Sequence, residues 1–120
     1  MTLEEKIPKK GNPLKLNSLQ LRTLTVLQQL ARFPETSTIN EKTGEVMISN
    51  LPNPHGNHFH CGDAIVLAKN ATGLRNEAVW KALERRGLAK SYFPMGIALT
   101  IDGIEYPTGL ENKILLREDH

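Results

Sequence analysis

Leu21, Leu24, Leu27, Leu30 and Ala31 recur every three or four residues and predict an amphipathic helix over 18–32. Asn17 precedes this stretch and Gln20 follows three residues later, the spacing of a capping box, and Pro34 ends the element. The leucine stripe covers barely two heptads, so it predicts a core-facing helix and not a partner zipper. Ile39 on one side and Val46, Met47 and Ile48 on the other flank the turn-rich stretch Asn40 to Glu45, which predicts a hairpin over 36–49 around Gly44. Residues 50–60, NLPNPHGNHFH, break the periodicity and predict a loop.

The run AIVLA from Ala64 is too short for periodicity to settle. It fits a second helix over 63–71 capped by Asp63, or a buried strand extending from Phe59. The ATGL that follows favours the helix, with Gly73 as the left-handed residue of a helix terminus. Ala78, Val79, Ala82 and Leu83 share a face and predict a third helix over 75–86, stopped by Gly87. Tyr92, Phe93, Ile97, Leu99 and Ile101 predict strands between 88 and 106, with one turn at Pro94 and Gly96 and a hairpin turn at Asp102-Gly103. Thr108 and Glu111 have capping-box spacing for a short C-terminal helix carrying Leu110, Ile114 and Leu115. Residues 1–16 read as a mobile basic arm with Lys6, Lys9, Lys10 and Lys15, partly offset by Glu4 and Glu5. The expected organisation is an arm over 1–16, a domain over 17–106 and a tail over 107–120.

Composition narrows the classes. The 120 residues suffice for one domain with a modest core. Hydrophobic residues at 39% and charged residues at 23% are ordinary for a soluble globular chain. The net charge of +2 permits nucleic-acid binding without arguing for it. A single cysteine, Cys61, precludes an internal disulfide and makes a reducing, cytoplasmic home the simplest expectation. The N-terminus lacks the apolar core of a signal peptide, and no apolar run approaches the ~20 residues of a membrane span, so no membrane partner is expected.

The predicted order of helix, strand pair, helix, turn, helix and hairpin, with the motifs GLRNEAVWKALERRGL and ALTIDGIEY, resembles a winged helix–turn–helix domain, MarR-like in its local motifs. In that family a third helix commonly ends in a leucine–acidic–basic–basic–Gly–Leu run, here Leu83 to Leu88. The wing's second strand closes with Leu-Thr-x-x-Gly, here Leu99, Thr100 and Gly103. The spacing from Gly73 to Val79 also matches the turn-to-core spacing of the motif. The resemblance covers about residues 18–106 and implies an α+β winged helix with an extra hairpin between its first two helices. It further implies binding to double-stranded DNA and a role as a transcriptional regulator. Arg75, Asn76, Ala78 and Lys81 would face the major groove, where Arg and Asn suit guanine and adenine edges. Arg85 and Lys90 would hold phosphates, as would Lys42 if its hairpin lies on the same side. Glu77 and Glu84 oppose this reading. Trp80 stands where a small polar residue is usual, and its bulk points to packing on the neighbouring hairpin or to a protein interface. The competing expectation is therefore a protein-interaction module, with a protein partner or a second copy in place of DNA.

His55, His58, His60 and Cys61 fall within HGNHFHC and are all zinc-ligand types. Structural zinc sites usually draw ligands from two separated pairs, and in a strand His58 and His60 would face one way and Cys61 the other. A solvated loop anchored by Phe59 and Cys61, with no cofactor, is the expectation; zinc is the alternative. Cys61 adjoins an apolar run and reads as a small packed hydrophobe. With no Gly-rich phosphate loop and only scattered carboxylates, the chain is not expected to be an enzyme.

Overall fold

Leu24, Val26, Leu27 and Leu30 are completely buried, and the remaining elements are assembled around them. The computed structural model describes residues 11–117. Its elements run α1 (Ser18–Leu30), β1 (Ser37–Ile39), β2 (Val46–Ile48), β3 (His58–Cys61), β4 (Ala64–Leu67), a 3-10 turn (Ala68–Asn70), α2 (Glu77–Arg85), β5 (Ala89–Tyr92), β6 (Gly96–Leu99), α3 (Ile101–Glu105) and α4 (Glu111–Ile114). The architecture is α+β. One antiparallel sheet has the order β1-β2-β6-β5, and β3 and β4 form a separate hairpin. None of the helices among the described residues is long and apolar enough to cross a membrane.

The capping box of α1 is formed: Asn17 Oδ1 accepts from Gln20 N–H at 2.8 Å, and Gln20 Oε1 accepts from Asn17 N–H at 2.9 Å. In the larger sheet Ile48 opposes Ile97, and Leu99 lies between Val46 and Ala89. Period-two alternation sends these side chains to one face. Ile48, Ala89, Ile97 and Leu99 there join the leucines of α1 in a single core.

Four expectations are corrected. Residues 63–71 are not a helix: Ala64–Leu67 is a strand paired with His58–Cys61, followed only by the short 3-10 turn. Ile65 and Val66 are β-branched, and Gly62 at φ +62° permits the two-residue turn that folds them back on Phe59 and His60. Asp63 sits in that turn and caps nothing. Gly73 does not have a positive φ; it is glycine because a Cβ there would overlap Thr23 Oγ1 of α1. Asp102-Gly103 is not a hairpin turn but part of α3, whose N-cap Thr100 accepts from Gly103 N–H at 3.1 Å. Thr108 does not cap α4, because the N-cap position falls at Leu110; the Thr108 hydroxyl instead accepts from Thr25 Oγ1 at 2.8 Å.

The expected arm divides. Lys6, Lys9 and Lys10 lie outside the described residues. Residues 12–16 are docked: Tyr106 Oη donates to Asn12 Oδ1 and accepts from Leu14 N–H, both at 2.8 Å, and Leu16 is buried.

Two of the motifs behind the family resemblance touch. The Thr100 hydroxyl donates to the Gly87 carbonyl at 2.8 Å, and the Leu88 carbonyl accepts from Thr100 N–H at 3.1 Å. A Cβ on Gly103 would overlap the Leu88 carbonyl oxygen. Gly103→Ala is therefore expected to destabilise the fold by about 1–3 kcal/mol, because backbone cannot yield as a side-chain end can. Urea unfolding followed by Trp80 fluorescence measures this, with Gly11→Ala as the control, since nothing lies within 4 Å of a Cβ there.

Candidate functional site

The strongest amphipathic element is α2, which a side chain starts and a glycine stops. Asn76 starts it: Oδ1 accepts from Ala78 N–H at 2.9 Å and from Val79 N–H at 3.4 Å. Arg75, one residue earlier, turns away from the helix. Its Nη2 donates to the carbonyls of Leu51 and Pro52 and to Asn53 Oδ1 at 3.1–3.2 Å, clamping the loop that leads to β3. Gly87 at φ +79° closes the other end.

Val79, Trp80 and Leu83 form the buried side of α2. Trp80 is fully buried, its Nε1–H donates to the Leu74 carbonyl at 3.0 Å, and Phe93 meets its ring edge-on with centroids 5.0 Å apart. Of the two expectations for Trp80, packing on the neighbouring hairpin is the one observed; a fully buried ring has no surface to offer a partner. Ala78, Lys81 and Arg85 are exposed. At 100° per residue they make the middle of the solvent face, with Glu77 and Glu84 along one flank. Lys81 pairs with Glu77 at 3.5 Å, both more than half exposed or close to it, which is a weak surface interaction.

Lys90, on β5, reaches across the sheet to Glu45 at 2.8 Å, and the hydrogen bond to that carboxylate raises its pKa. Lys42 is exposed at the β1–β2 turn. Of the six residues expected to meet DNA, Arg75, Asn76 and Lys90 thus have partners within the chain, and Lys81 has its weak surface pair with Glu77. Ala78, Lys81 and Arg85 share one open face. No separate signal marks the tip of the β5–β6 hairpin, where Tyr92, Phe93 and Met95 are exposed by 52%, 36% and 75%. Aromatic and β-branched character was legible as strand, but not which residues would lack cover.

The histidine loop is not a loop throughout. His55 and His58 form an antiparallel bridge, His55 N–H to His58 O at 2.7 Å and His58 N–H to His55 O at 3.2 Å, around Gly56 at φ +63°. Opposed residues share a face, and His58 and His60 share it by strand alternation. Cys61 lies on the opposite, core face, completely buried, and burial pushes its thiol up to about 11. The four expected ligands are therefore divided: three imidazoles on the solvent side, and a thiol withheld from them and from nucleophilic chemistry. No group of three or more His, Cys, Asp or Glu side chains among the described residues is arranged to hold an ion.

The hairpin that carries these histidines is tied to α1. Gln29 Nε2 donates to the Cys61 carbonyl at 2.9 Å and to Asp63 Oδ1 at 2.8 Å, while Arg117 donates to Gln29 Oε1 at 2.9 Å and to Asp63 Oδ1 at 3.3 Å. Hydrogen bonds from Gln29, then from Arg117, hold the Asp63 carboxyl below its usual range. Such a depressed group adds stability above its unfolded pKa and loses it as pH falls through the folded one. Asp63→Asn is expected to unfold more easily than the parent at pH 7, with the gap shrinking below about pH 4. Chemical denaturation across that range checks it; a gap independent of pH would mean the carboxylate charge is not what the tether uses.

The chain matches no family model, and comparison with curated proteins and with solved structures returns no match.

Proposed function

We propose that this is a variant winged-helix domain that binds double-stranded DNA through α2 and the β5–β6 hairpin. The observation that carries the reading is the open stripe of Ala78, Lys81 and Arg85 along the solvent face of α2. Two features of the scaffold support it. A helix leads directly into an antiparallel hairpin whose second strand pairs with β2, which is the order in which a wing follows a recognition helix. The Gly87–Leu88 and Thr100–Gly103 segments, which carry the resemblance, pack on one another. The variation lies before α2, where the β3–β4 hairpin and a 3-10 turn stand in place of a second helix.

In this reading Arg75 and Asn76 position α2 and do not read bases. Lys81 and Arg85 supply the phosphate contacts, and Ala78 lets the helix approach closely. The domain's weak net charge of +2 and the flanking Glu77 and Glu84 limit the affinity, and with two phosphate contacts the slope of log affinity against log salt is expected to be about −2. A role as a small transcriptional regulator would follow from sequence-selective binding.

The exposed Tyr92, Phe93 and Met95 favour a second reading, a protein contact at the hairpin tip, with a partner protein or a second copy of the chain. Amide shifts of the labelled full chain on titration with a random-sequence duplex at two salt concentrations separate the readings. The DNA reading expects shifts along 76–86 that weaken with salt, and a Lys81→Ala variant whose slope of log affinity against log salt falls by about one. No binding at low salt overturns it. Shifts confined to 91–96 as the protein concentration alone is raised support self-association at the tip.

A further inference from the structure

We propose that His55, His58 and His60 form a three-imidazole site for a divalent transition-metal ion, zinc or copper class, on the solvent face of the β3 hairpin. The proposal does not depend on the DNA reading. It rests first on the backbone. The two hydrogen bonds between His55 and His58 fix these residues opposite one another, and β3 puts His60 on their side. Three imidazoles on one face are thus imposed by register and need no particular rotamer.

The ring positions agree with this. Centroids are 5.0 Å apart for His58 and His60, 5.2 Å for His55 and His60, and 6.3 Å for His55 and His58. A zinc–nitrogen bond of about 2.0–2.1 Å, plus roughly 1.1 Å from nitrogen to ring centre, sets each centroid ~3.2 Å from an ion; tetrahedral angles then space the centroids ~5 Å apart. Two of the three separations have that value and the third exceeds it by about an ångström.

The nitrogens do not yet converge, since two ring pairs stand edge to face at 87° and 78°. Convergence requires rotation about χ2, a broad sp³–sp² torsion, in side chains that are exposed or half-exposed. His58 already has an outer partner: its Nδ1 lies 3.3 Å from Asn57 Oδ1, which favours the Nδ1–H tautomer and leaves Nε2 as the donor. Glu35 and Asp63 line the same groove as His60 and make the approach favourable to a cation. Asp63 stays committed to Gln29 and Arg117, and Cys61 faces the core, so water completes the coordination. The set is imidazole without carboxylate oxygens, which selects imidazole-preferring ions over magnesium or calcium.

The test is zinc titration of the full chain, purified without a histidine tag, by calorimetry at pH 7.5, with cobalt absorption as a second probe. One ion per chain is expected. His55→Gln, His58→Gln and His60→Gln should each weaken binding at least tenfold and leave the metal-free unfolding midpoint unchanged. Should a variant fold poorly, imidazole resonances of the unaltered chain provide the readout: all three must shift together on adding zinc. Cys61→Ala should bind as the parent does. Stoichiometry well below one, a histidine variant with parental affinity, or shifts at only one or two of the imidazoles would each overturn the proposal.

Discussion

Burial of α1 is the constraint on which the rest depends. Its apolar side forms the centre of the core, and Thr25, Gln28 and Gln29 each secure a different segment of chain. Gln28 donates to the carbonyls of Gly103 and Tyr106 at 2.9 Å each, holding α3 and the segment after it. Gln29 holds the β3–β4 turn, and Thr25 holds Thr108. Buried carbonyls without partners would cost far more than these bonds gain net, so the amides fix where irregular segments can lie. Gly73 lets the turn before α2 pass against Thr23. The start of α2 and the histidine hairpin are therefore both referenced to one helix.

That arrangement explains why the candidate surfaces differ in character. On α2, tryptophan and leucine face inwards and a mixed-charge stripe remains outside, with Ala78, Lys81 and Arg85 exposed along it. Arg75 illustrates the competition. Its planar guanidinium suits a guanine edge, and it suits the converging carbonyls of Leu51 and Pro52 equally well. Sequence types alone do not distinguish these uses, because each asks for the same array of donors.

Legibility followed the range of the interactions. The capping box of α1, the β1–β2 hairpin, α2 with its glycine stop and the β5–β6 strands rest on neighbours within a few residues, and all were readable. Residues 63–71 were not, because AIVL has the same apolar pattern in a buried strand as in a helix, and pairing with HFHC decided it. Asp102-Gly103 carries a hairpin-turn signature, but Thr100 caps a helix there and Gly103 is needed for contact with Leu88, distant in sequence. The histidine cluster was legible as composition. Strand alternation would set His58 and His60 opposite Cys61, but that the segment is a strand was decided by pairing with β4, and the participation of His55 by a bridge across Gly56.

The sequence by itself determined the local elements, through helical and strand periodicity, caps and glycine stops, and it marked the residues able to carry chemistry. Tertiary structure decided which of them are free to use it. Trp80 and Cys61 were taken into the core because burying their apolar surface outweighs any exposed role, Arg75 and Asn76 were taken by unpaired backbone groups, and Lys81, Arg85 and the three histidines were left facing solvent.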